Sequence, residues 1–285
     1  MRIERGFLLI MPTTALAVEE LTCCPLCGHA AADPVLEEAD GYLPSLRLHR
    51  CRGCTMVYLN PRLTLDAMVA VEDESEVYAF GPDVAEQWIT GGLIGLVAQL
   101  EGHLRTPGRR LLDIGCNRGL LMEAARRRGW QVRGVEISPE SANRARRDYG
   151  LIVYATLDAL AEAEPGARFD LITAWHVLEH TFDPVAFLRA AAARLAPQGV
   201  LALQVPSFDF LDEFRRRNEP GSLLCAVHNF YFTEANLQPV LARAGLAPLQ
   251  VGSDPNSLLL TAICTRPAQP RSWWRRIQAR FAPHP

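Results

Sequence analysis

The sequence predicts an α/β fold, a mostly parallel sheet with helices on both faces, preceded by a small four-cysteine module. Three observations predict it. From residue 109 onward short apolar strands alternate with helical segments, the pattern of a parallel sheet covered by crossover helices. A loop with two glycines, Gly115-Cys116-Asn117-Arg118-Gly119, joins the first of these strands to its helix. Ahead of it, Cys24-Pro25-Leu26-Cys27 and Cys51-Arg52-Gly53-Cys54 form two knuckles separated by 23 residues.

Composition supports this division. The chain's 285 residues suit one full α/β domain and a smaller attachment, and 49% hydrophobic with 21% charged residues supplies a sizeable core. A net charge of -3 gives no general attraction to nucleic acid or anionic lipid. No apolar run approaches the ~18 residues needed to span a bilayer. Residues 1–19 read as a leader expected to be disordered. Arg2, Arg5, the run 7–11 and Ala15-Leu16-Ala17 loosely imitate a secretion signal, but Pro12 interrupts the run and Met11 is an alternative start. A cytoplasmic location is expected.

Residues 20–62 form the cysteine module. Cys23, Cys116, Cys225 and Cys264 are scattered and read as small apolar residues. Two CxxC pairs in an α/β chain of this size point to metal in a reducing compartment rather than to disulfides. Each knuckle can present two thiolates to one ion. Cys24, Cys27, Cys51 and Cys54 would thus complete a closed tetrahedral Zn2+ site with no open position for chemistry. Cys23 and His29 are alternative ligands, although Cys24 has the better spacing. A hairpin spans the gap between the knuckles, and a strand at 56–59 is stopped by Asn60-Pro61.

Residues 63–107 read as a mixed helical linker ending in a Thr106-Pro107-Gly108 break. Within 108–265, strands are expected at 111–114, 131–137, 151–155, 169–175 and 200–205. Helices are expected at 120–128 with Gly129 as the stop, and from Ser138-Pro139, as N-cap and first residue, to Gly150. Asp183 caps a helix reaching 195, and Thr233 one that ends at Gly245. Segments 247–251 and 258–264 flank Asp254-Pro255-Asn256 and so pair antiparallel. Residues 266–285 form a tail mixing Trp273, Trp274, Ile277 and Phe281 with arginines. It reads either as a membrane-surface or partner-docking helix or as a helix folded back on the domain.

The loop after the first strand lacks the G-x-G-x-x-G spacing of a dinucleotide site, because Asn117 and Leu120 stand where the second and third glycines would be. Asp113, two residues before Gly115, would repel a pyrophosphate. It suits a ligand with cationic ammonium and sulfonium groups, and S-adenosylmethionine (SAM) carries both. Glu136 closes the second strand about 20 residues on, where an acid accepts hydrogen bonds from both ribose hydroxyls. Gly115 and Gly119 are expected to let the backbone approach the ligand closely.

The runs LLDIGCNRG, VRGVEIS, FDLITAWHVLEHTFDP and PQGVLALQVPS together resemble class I SAM-dependent methyltransferases, most nearly the ubiquinone-biosynthesis-type branch. The resemblance covers residues 111–207 and extends into HNFYFT. It implies a Rossmann-like, seven-stranded sheet whose last strand is antiparallel. It implies that Asp113, Gly115 and Gly119 line the methionine end of SAM and that Glu136 holds the ribose. Asn117 departs from the commoner glycine but tolerates positive φ. Thr156, Leu157 and Asp158 would meet the adenine, and His176 would flank the cofactor. The cysteine module resembles a substrate-facing or docking element in similar enzymes.

In an open α/β sheet, ligands lie beyond the carboxyl ends of the strands. His176-Val177-Leu178-Glu179-His180 leaves the fourth strand at that rim, so His180 and Glu179 are candidate bases for deprotonating an acceptor, with His228 a third. The alternative for each is to shape the rim. No Asn/Asp-Pro-Pro-aromatic motif follows the fourth strand, which, with the acidic balance, argues against nucleic acid as partner. The expected acceptor is a small molecule, a sugar or a lipid-linked precursor methylated on oxygen. Methylation of a keto-sugar carbon and a non-catalytic, SAM-binding interaction protein are the alternatives.

Overall fold

A computed structural model of the chain describes residues 16–38, 46–73, 80–105, 107–217 and 223–267. The tail with Trp273 and Trp274, and most of the leader, including Met11, lie outside the described residues.

The cysteine region is built of short antiparallel strands. β1 (Val18–Glu19) will pair with β5 (Arg62–Leu63), while β2 (Ala32–Glu38), β3 (Leu46–Cys51) and β4 (Val57–Leu59) make a meander. The β2–β3 hairpin occupies the gap between the knuckles. Three helices follow: α1 (Leu65–Asp73), α2 (Pro82–Trp88) and α3 (Ile94–Glu101), the last two joined through a π-helical turn at Ile89–Leu93.

The larger unit alternates as expected: β6 (Arg110–Ile114), α4 (Leu120–Arg127), β7 (Gln131–Val135), α5 (Pro139–Tyr149), β8 (Val153–Tyr154), α6 (Leu157–Ala163), β9 (Phe169–Trp175), α7 (Pro184–Ala193) and β10 (Leu195–Pro206). Then come α8 (Leu211–Arg216), β11 (Phe230–Tyr231), α9 (Glu234–Arg243), β12 (Ala247–Asp254) and β13 (Leu259–Thr265). Seven strands form one sheet in the order β12-β13-β10-β9-β6-β7-β8. The five from β10 to β8 run parallel, and β13 is antiparallel to both its neighbours. The strand order reverses between β6 and β9, and this crevice is where a doubly wound sheet receives its ligand.

Alternation along each strand divides the core into two layers. Leu112, Ile172, Leu201 and Leu203 face one, and Leu111, Leu171, Val200 and Ala202 face the other. The helix starts follow from side-chain caps. Ser138, Thr156, Asp183 and Thr233 each accept a backbone N–H of the first helical turn. The third strand is shorter than its apolar run, because Leu151 turns inward beneath Gly119 instead of joining the ladder.

One pairing crosses the chain. β11 lies antiparallel to β4, Phe230 opposite Tyr58 and Tyr231 opposite Val57, so the second sheet reads β11-β4-β3-β2. Cys24, Cys51, Met56 and Tyr58 pack in the same core as Ile114, Leu178, Phe230 and Phe232. Among the described residues, no helix is long and apolar enough to cross a membrane.

Candidate active site and cysteine cluster

The loop from β6 to α4 is a left-handed bend. Gly115, Asn117 and Gly119 have φ of +70°, +48° and +79°. Asparagine is among the few side chains that tolerate this region. The glycines are required for internal reasons. A Cβ on Gly115 would stand 2.3 Å from Val177 Cγ2, and one on Gly119 2.4 Å from Leu151 Cδ1. The loop is thus pressed onto neighbouring protein atoms at both glycines. That contact also shows that the loop touches the turn carrying the histidines.

Asp113 ends β6 almost fully enclosed, its Oδ1 accepting from the Thr173 hydroxyl at 2.7 Å. Burial pushes its carboxyl up to about 7, opposed by that hydrogen bond and reinforced by the charge of Glu136. A buried acid of this kind has its charged form restored by a cation placed beside it. Glu136 spans the loop, accepting from Asn117 N and from Ser138 N, each at 2.8 Å. These two bonds orient the carboxylate across the loop. Ile137, next in sequence and two residues beyond β7, is a large apolar side chain left 45% exposed. Thr156 caps α6 through Ala159 N, Leu157 is half-buried and Asp158 is exposed. His176 has φ +54° and an exposed side chain.

At the end of β9 a single 3-10 turn, Leu178–His180, carries the acid and the second histidine. Ligand atoms of Glu179, His180 and His228 all lie within 4.8 Å of one another. Among the described residues neither oxygen of Glu179 has a formed hydrogen bond, although its Oε1 is 3.4 Å from His176 Nδ1 and 4.0 Å from His180 Nε2. Burial would raise this carboxyl, but His176 and the charges of the surrounding histidines outweigh it and hold it below the usual range. His180 Nδ1 lies 3.1 Å from Val227 O, and His228 Nδ1 lies 2.7 Å from Leu223 O. A carbonyl only accepts, so in each neutral ring Nδ1 carries the proton and Nε2 keeps a bare lone pair. Burial, helped by His180, pushes His228 down to about 4 and keeps it neutral. The rings of His180 and His228 meet edge to face at 4.8 Å. The cluster thus brings one buried carboxylate and two imidazole rings together.

The four paired cysteines converge as a second group, with sulfurs within 4.8 Å of one another. Cys24 Sγ is 3.6 Å from Cys54 Sγ, and Cys27 Sγ is 3.5 Å from Cys51 Sγ. Tetrahedral Zn–S bonds of about 2.3 Å require sulfurs about 3.8 Å apart, so the donor set and spacing fit that ion. None of the four is in a disulfide. Cys51 is drawn down to about 7: burial opposes its ionisation, and the N–H groups of Cys54 and Gly53 more than compensate. Cys23 and His29 stand outside the cluster.

The profile of the family described as a methyltransferase domain matches residues 87–251. A ubiquinone biosynthesis O-methyltransferase of Xanthomonas campestris pv. campestris (strain B100) is 41% identical over 106 residues, 34% of this chain and 43% of the relative. One of Neisseria meningitidis serogroup C is 32% identical over 145 residues, 45% of this chain and 60% of the relative. The chain thus spans about half the length of the curated relatives it matches. Among solved structures, the plantazolicin methyltransferase BpumL in complex with SAH covers 70% of this chain and all of its own at a TM-score of 0.51 and 12% identity, a likeness of fold. With that profile matching more than half of its length, the chain belongs to the methyltransferase domain family.

Proposed function

We propose that the chain is a cytoplasmic SAM-dependent methyltransferase that methylates an oxygen of a small-molecule, sugar or lipid-linked acceptor. One observation carries the reading: the loop bearing Asp113 and leading to Glu136 abuts, through Gly115 and Val177, the turn carrying Glu179 and His180, on which His228 converges from another segment. That the Xanthomonas and Neisseria relatives are O-methyltransferases supports oxygen as the acceptor atom.

When bound, SAM supplies an electrophilic methyl group on a sulfonium. Asp113 would ionise against the cationic methionine end and Glu136 would accept from the ribose hydroxyls. Thr156, Leu157 and Asp158 would meet the adenine, exposed Ile137 would offer it an apolar side chain, and His176 would flank the cofactor. Gly115, Asn117 and Gly119 shape the loop between these acids. Of the three candidate bases, His180 best suits proton removal at its Nε2, since His228 is enclosed and its basicity is suppressed. Glu179 would stabilise the resulting imidazolium, and His228 would fix the ring's orientation. Zn2+ on Cys24, Cys27, Cys51 and Cys54 would be structural, in keeping with a reducing compartment.

Calorimetric titration with SAM and, separately, with NAD tests the cofactor. Wild type should bind SAM and not NAD, and Asp113→Ala and Glu136→Ala should each lose roughly tenfold or more in SAM affinity, about the 1.4 kcal/mol expected of one charge-assisted contact. SAM binding indifferent to both substitutions, or NAD binding alone, would sink the reading.

A further inference from the structure

The cysteine region reaches the turn that carries the candidate base through Asn229. Asn229 is 2% exposed and lies between β4 and the Glu179 turn. Its carbonyl accepts from Leu59 N at 3.1 Å, and its own N–H donates to Glu179 O at 2.8 Å. Its side-chain Nδ2 donates to His180 O at 2.9 Å and reaches Thr181 O at 3.4 Å. The backbone of Glu179, His180 and Thr181 therefore hangs on Asn229, and Asn229 hangs on β4.

β4 is in turn an extension of the second knuckle. Cys51 N donates to Met56 O at 2.9 Å, closing the knuckle directly onto the residue before the strand. Beside the first knuckle, the Asn60 side chain accepts from Leu21 N at 2.8 Å and donates to Leu21 O at 3.1 Å. Arg62, on β5, completes a second tie, its guanidinium 4.3 Å above the Phe182 ring. The turn is thus held from the cysteine side at Glu179 and at the residues that follow it.

Such bracing has a physical reason. A fully buried carboxylate without formed hydrogen bonds gains by moving toward water, and a single 3-10 turn has little rigidity of its own. Glu179 stays enclosed only if its backbone is held from outside. We propose that the metal-bound cysteine module is that brace, and that Asn229 is the positioning residue through which the state of the four-cysteine cluster reaches Glu179 and His180. The inference rests on the zinc reading above.

Coupling between two sites is reciprocal, so a residue that transmits the metal's effect to the turn also affects retention of the metal. The experiment measures zinc release from the full chain to a chromophoric chelator, together with the imidazole 1H–15N spectrum. Asn229→Ala should speed release by about tenfold, within the range of ordinary coupling energies. Val97→Ala, a core truncation on the other face of the sheet, serves as control for general destabilisation. The His180 Nδ1–H resonance should move when zinc is removed from wild type, and move alike in zinc-loaded Asn229→Ala, while SAM affinity holds. Equal release from Asn229→Ala and Val97→Ala, or a His180 resonance indifferent to zinc, would overturn the brace and leave the metal site standing. A wild-type chain that binds no zinc would overturn the metal reading and the brace with it.

Discussion

At the scale of single residues, Asp113 sets a pH window. Its carboxyl is raised from the ordinary value near 4 to about 7 by burial. The free fold therefore holds this proton more tightly than the unfolded chain does, and ionisation penalises the free fold increasingly as pH rises from about 4 to about 7. A cationic ligand relieves that penalty by favouring the charged form. SAM affinity should be flat above about pH 8 and fall by up to tenfold per unit below about pH 7. Asp113→Asn should bind more weakly above that pH and lose the slope; calorimetry across the range checks both. The acid itself was legible in the sequence, because a charge two residues before a glycine turn at a strand's end has few structural uses. Its raised proton affinity was not, since that depends on Thr173 and on enclosure by elements far along the chain.

At the scale of elements, the β6–α4 loop and the turn after β9 act as one piece. A methyl group at Gly115 meets Val177 Cγ2 at 2.3 Å and adds a left-handed backbone penalty. Gly115→Ala should destabilise the protein by about 2–4 kcal/mol from the two effects together. Adding Val177→Ala should recover part of this, the steric part, and the φ penalty should remain. Thermal unfolding of the double-mutant cycle measures the split, and strict additivity would deny the contact. The strands and caps of this unit could be read directly, since Ser138, Asp183 and Thr233 each precede an apolar helical pattern. α6 was hidden because Thr156, exposed at a strand's end, reads equally as a cap and as a ligand contact. The pairing of β11 with β4 was hidden for a different reason: two residues, Phe230 and Tyr231, carry no periodicity, and their partner lies in another part of the chain.

At the scale of the whole molecule, that pairing decides where the units end. The sequence separates a cysteine module at 20–62 from a methyltransferase domain at 108–265, yet one sheet and one core run through both. A chain beginning after residue 64 would bare Phe230 and Phe232 and leave Asn229 O without its donor. It should lose its cooperative thermal transition and bind a hydrophobic dye; a sharp transition with unchanged SAM affinity would contradict this. The same pairing also imposes an order on biosynthesis. Tyr58 leaves the ribosome about 170 residues before Phe230, the partner that will cover its strand. At translation rates of about 5–20 residues per second, β4 waits with an open edge for roughly 10 to 35 s. All four cysteines of the cluster have emerged by then, so an ion captured early would hold β3 and β4 in register as a placeholder until the far strand arrives. Zinc supply during synthesis, rather than after it, would then govern how much of the protein escapes edge-to-edge aggregation.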